Sequence, residues 1–161
     1  MCKKEQGITI VALVITIIIM LILVGVSIEI GSNIIDKSNL EDIKTNMLAI
    51  QGKSMSIGEK NSFDPGTNPL VGVQITDKIN YIVSGYTISA DLKSELEKVD
   101  SAEGGAAEYF IWTKQNLIDS GLNNIKTDDS KVFYIVDYNS NEVFYSIGYQ
   151  GVYDLTTLKT K

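Results

Sequence analysis

The sequence predicts an α+β fold: a long N-terminal helix, first apolar and then amphipathic, packed on a small antiparallel β-sheet that follows it. Three observations carry this expectation. Residues Ile8 to Ile28, ITIVALVITIIIMLILVGVSI, run for 21 positions without a charge. Leu40, Ile43, Met47 and Ile50 then recur at intervals of three, four and three, the spacing of one helical face. Ten of the 13 aromatic residues lie at or after Tyr109, among Val- and Tyr-rich runs bounded by turn residues. Helix first and sheet later is an α+β order, and 161 residues suffice for one domain with a core.

The apolar run comes first. At about 1.5 Å per residue it makes a helix of roughly 31 Å, close to the hydrocarbon thickness of a bilayer. A helix that is apolar on every face must be covered on every face, and a chain of this size offers little to do so. Residues 8–28 are therefore expected to form a transmembrane helix. Lys3 and Lys4 precede it, and the first charges beyond it are Glu29 and Asp36. Positive flanks stay inside, so the expectation is a single-pass membrane protein with a cytoplasmic N-terminus and an extracytoplasmic C-terminal domain.

Residues 29–58 continue as an amphipathic helix. Ser38-Asn39-Leu40-Glu41 matches a capping box, so the helix is expected to restart at Ser38 after a kink near Gly31-Ser32. Residues 59–161 form the head domain. Phe63 to Pro69 holds both prolines and reads as a loop. Tyr81–Val83 and Tyr86–Ile88 read as short strands around Ser84-Gly85. Ala90 to Val99 reads as a helix with Leu92, Leu96 and Val99 on one side, and Ser101 to Ala107 as a Gly-Ala connection. Thr113 is placed to cap a short helix that Gly121 stops. Lys131–Tyr138 and Glu142–Tyr149 read as strands joined by Asn139-Ser140-Asn141, with a last strand through Val152–Leu155. Tyr109, Phe110 and Trp112 suit either a core or an adhesive patch, and core is the commoner use.

Composition narrows function. Residues 29–161 hold 19 acids against 12 lysines, a net charge of −7, and the chain contains no Arg or His. Such a domain repels nucleic acid. The single cysteine, Cys2, cannot form an internal disulfide. Without His, and with its one Cys at position 2, ahead of the apolar run, the chain lacks the parts for His-based triads, Cys nucleophiles and His/Cys zinc sites. No phosphate-cradling loop is present either: Gly104-Gly105 is followed by Ala-Ala and lacks a P-loop lysine. The reading is thus a non-enzyme with no catalytic residues, no cofactor and no small-molecule substrate. One weak calcium candidate exists. Asp137, Asn139 and Asn141 give the D-x-N-x-N opening of a calcium loop, but Glu142 stands where that loop requires Gly, and Gly148 where it requires a closing acid. Polar hairpin-turn chemistry explains the same residues.

The N-terminus permits three fates: an uncleaved anchor, a cut after the apolar run at Gly25-Val26-Ser27, or a cut before it. Lys3-Lys4-Glu5-Gln6-Gly7 followed by Ile8-Thr9-Ile10-Val11-Ala12-Leu13 resembles the leader and processing site of type IV prepilins and pseudopilins. The resemblance covers about residues 3–28. It implies that residues 1–7 are a leader, that a prepilin peptidase cuts after Gly7, and that Ile8 becomes the N-methylated first residue. It further implies a pilin-like fold and assembly with other pilin-like subunits through the helix, into a cell-surface filament or secretion pseudopilus. Ile8, Ala12, Thr16, Gly25 and Ile28 would belong to the assembly helix, with Ala12 and Gly25 allowing close helix approach.

One position departs from the family. A glutamate is usual four residues after the first mature residue, where it neutralises the N-terminal amine of a neighbouring subunit, and this chain has Ala12 there. Thr9 and Thr16 supply hydroxyls but no charge. Family members lacking this acid include tip or initiating subunits, so the resemblance points to a minor subunit. The alternatives are a membrane-anchored extracytoplasmic binding domain that does not polymerise, and a secreted domain released near Ser27.

Overall fold

The computed structural model describes the backbone of residues 5–125, 127 and 131–161 and, apart from residues 5–10 and 21–37, their side chains. The chain divides into two compact units, Met1–Glu41 and Asp42–Lys161. One helix, α1 (Glu5–Phe63, 59 residues), contributes to both. It is unbroken at Gly31-Ser32, and Ser38 lies in its interior. The restart expected at Ser38 is therefore corrected: in a continuous helix the N–H groups a cap would receive are already bonded to the preceding turn.

The first unit carries the apolar run. Its described side chains there, residues 11–20, are all exposed. Among the described residues, no helix is long and apolar enough to cross a membrane. This finding corrects the expected transmembrane helix over Ile8 to Ile28, and with it the single-pass placement with a cytoplasmic N-terminus and an extracytoplasmic head.

The second unit is α+β. Its elements after α1 are β1 (Val73–Gln74), α2 (Ala90–Ala102), β2 (Tyr109–Trp112), α3 (Lys114–Asp119), β3 (Tyr134–Asp137), β4 (Val143–Tyr149), β5 (Val152–Asp154) and α4 (Leu155–Lys159). The strands form one antiparallel sheet in the order β1-β2-β3-β4-β5. Register is fixed by pairs such as Val73↔Ile111, Ile111↔Ile135 and Ile135↔Phe144.

Because successive strand residues point to opposite faces, each strand contributes to two layers. Tyr109, Ile111, Ile135 and Phe144 join Leu92 and Leu96 of α2, with Tyr81, Phe133 and Tyr153, in the main hydrophobic cluster. Tyr109 meets Phe144 edge-on, with ring centroids 6.0 Å apart, and donates its hydroxyl hydrogen to the Leu96 carbonyl at 2.8 Å. Phe110, Trp112, Tyr134, Val136 and Val143 are buried on the other face. There Phe110 packs edge-on against Tyr138, whose ring lies 3.5 Å from where a Cβ on Gly58 of α1 would sit. Met47 and Ile50 of α1 are fully buried, as their helical spacing predicts, while Leu40 and Ile43 are partly buried.

Several expectations hold and others do not. Thr113 caps α3: its hydroxyl accepts the Asn116 N–H at 3.1 Å, while the Asn116 side chain accepts the Thr113 N–H at 3.0 Å. Gly121, at φ 80°, then closes α3, with its N–H bonded to Ile118 O and the Leu122 N–H to Leu117 O. Tyr109, Phe110 and Trp112 are core rather than a patch, and they form a strand. The strands expected at 81–83 and 86–88 are absent. Only an isolated bridge, Val83↔Tyr86, links them, because Tyr81 adopts φ 52° and Gly85 turns the chain too tightly for extended pairing. Leu155 opens a helix instead of ending a strand, since Asp154 accepts the Thr157 N–H at 2.7 Å.

Candidate functional site

Two places gather the residues of interest, one in each unit. In the first, α1 displays Val11, Leu13, Val14, Ile15, Ile17, Ile18, Ile19 and Met20, each 49–68 % exposed. Consecutive helix positions step around the axis by about 100°, so seven large apolar residues within 13–20 leave no polar face. Ala12 is exposed in the same stretch. The Thr16 hydroxyl donates to the Leu13 carbonyl of its own helix at 2.8 Å, so its hydrogen is used locally. Gly7 and Ile8 lie in the early turns of α1, and Gly25 and Ile28 also have helical backbone. The side chains of Ile8 and Ile28 lie outside the described residues.

In the second unit, Asp137, Asn139 and Asn141 come together at the β3–β4 turn. Asp137 is fully buried. Its carboxylate accepts the Glu108 N–H at 2.8 Å, the Asn139 N–H at 3.0 Å and the Ser140 hydroxyl at 2.7 Å. The carboxamide of Asn139 donates to Glu103 at 2.8 Å. Asn141 takes the left-handed conformation, φ 61°, and its carbonyl accepts the Gln51 side chain of α1 at 2.8 Å. The chemistry of the trio is thus directed into the turn and toward the residue before β2, the end of α2, and α1. No group of three or more Cys, Asp or Glu placed to hold a metal occurs among the described residues.

Beside this turn lies a cleft of about 250 Å³, bounded by Gly58, Glu59 and Asn61 of α1 and by Glu108, Tyr138 and Asn141. Tyr138 fixes one wall: its hydroxyl donates to the Val71 carbonyl at 3.0 Å and accepts the Val71 N–H at 3.2 Å. Burial raises the Tyr138 phenol above its ordinary range. The Glu59 and Glu108 carboxylates stand exposed at the rim. Sequence reasoning did not find this cleft. Its walls come from positions 58–61, 108 and 138–141, and no local pattern connects them.

A third ordered feature is the turn after β1. Asp77 accepts the N–H groups of Ile79 and Asn80, both at 3.0 Å, and the Asn80 carboxamide at 3.1 Å. These bonds, the Asn80 backbone first among them, hold the Asp77 carboxyl below its ordinary range. Lys78 reaches back to Asp100 at 2.9 Å and to the Gly105 carbonyl at 3.0 Å, tying the turn to the end of α2. No protein-family model, no curated protein and no solved structure matches this chain.

Proposed function

We propose that this chain is a structural subunit, of the minor class, of a type IV pilus-like filament or type II secretion-type pseudopilus. In this reading a prepilin peptidase cuts after Gly7, and the mature chain assembles through its N-terminal helix with other pilin-like subunits. The observation that carries the reading is the exposed, all-round apolar surface of α1 over residues 11–20. Such a surface is unstable in water and calls for an apolar partner on every side. Other helices of the same kind supply one. Each half-exposed side chain that becomes buried contributes about 1 kcal/mol, on the order of 8 kcal/mol over the eight.

The leader supports the same reading. The charged stretch Lys3 to Gln6, then Gly7, then a charge-free run from Ile8 resembles the processing site of prepilins. Ala12 argues for the minor class. With no carboxylate there, residues 8–28 offer no anion to a neighbouring subunit's N-terminal amine.

Mass spectrometry of the cell-derived protein tests the proposal. The expected mature N-terminus is N-methylated Ile8, and Gly7→Leu is expected to block its appearance. An intact Met1 with no processed form, or a product beginning at Ile28, overturns it.

A further inference from the structure

We draw no further inference here: the strongest candidate, the cleft of about 250 Å³ between the end of α1 and the β3–β4 turn, rests on an acidic pair, Glu59 and Glu108, exposed at its rim, and no second observation points to a ligand.

Discussion

Asp137 concentrates more of the turn chemistry of the second unit than any neighbouring residue. A fully buried carboxylate is costly unless its oxygens are hydrogen-bonded, and here three donors meet it. Asp137→Ala strands the Glu108 and Asn139 N–H groups, and a loss of about 2–4 kcal/mol in unfolding free energy is expected from urea denaturation. Asp137→Asn keeps one acceptor oxygen and is expected to lose less. The sequence singled out Asp137 by its spacing to Asn139 and Asn141, yet one of its three donors, the Glu108 N–H, lies 29 positions away. Local pattern could not reveal it. Thr113 and Gly121 were legible because capping is a short-range event, complete within a few residues.

Gly72 shows the same limit from the other side. It sits at φ 121°, and a Cβ there would lie 2.9 Å from the Ile111 carbonyl oxygen and 3.0 Å from Phe110 Cβ. Gly72→Ala combines a disfavoured backbone with a clash against β2, and a loss of about 2 kcal/mol or more is expected in the same assay. Nothing adjacent in sequence distinguishes this glycine from the others.

At the scale of elements, periodicity over many residues read well and short extended runs read poorly. The three-four-three spacing of Leu40, Ile43, Met47 and Ile50 marked the packed face of α1. Met47→Ala or Ile50→Ala is expected to cost about 2–5 kcal/mol, whereas Leu48→Ala, on the exposed side, is expected to change stability by less than about 0.5 kcal/mol. Comparing the three unfolding midpoints checks both statements. β1 is only two residues long, and its partner β2 lies 36 positions on, so Val73-Gln74 carries too little pattern to be seen. Tyr81–Val83 misled for the opposite reason. Its residues favour strands, but the Asp77 turn and the left-handed Tyr81 commit the segment to packing its ring under α2.

For the whole molecule, the buried tyrosines set an alkaline limit. Burial, aided by Asp100 and Glu97, pushes the Tyr81 phenol up to about 12, and burial raises Tyr109 and Tyr134 further. A folded value above the unfolded one means that the neutral phenol favours the fold. That contribution is complete below pH 10 and is lost as pH rises through about 12. From neutral pH, stability is expected to be level up to pH 10 and then to fall, with ionisation of the buried tyrosines appearing together with unfolding. Free ionisation of these phenols near pH 10, with the fold intact, would contradict the burial assigned to them.

The proposed assembly is also tested on the whole chain. Ile15→Asp combined with Ile18→Asp places two charges in the exposed apolar run. Under the proposed function the doubly substituted chain is expected to disappear from the sheared filament fraction, while the urea unfolding midpoint of the second unit stays unchanged. Retention of the variant in filaments would count against helix-mediated assembly.

The meander of strands has a consequence for how copies can meet. A sheet whose strands each pair with their chain neighbours ends in two rims, and here those rims are β1 and β5, stubs of two and three residues. Unpaired backbone that short cannot template a foreign strand along any useful length. Fibre growth by sheet extension is thereby disfavoured, which leaves side-chain surfaces as the better means for copies of this protein to meet.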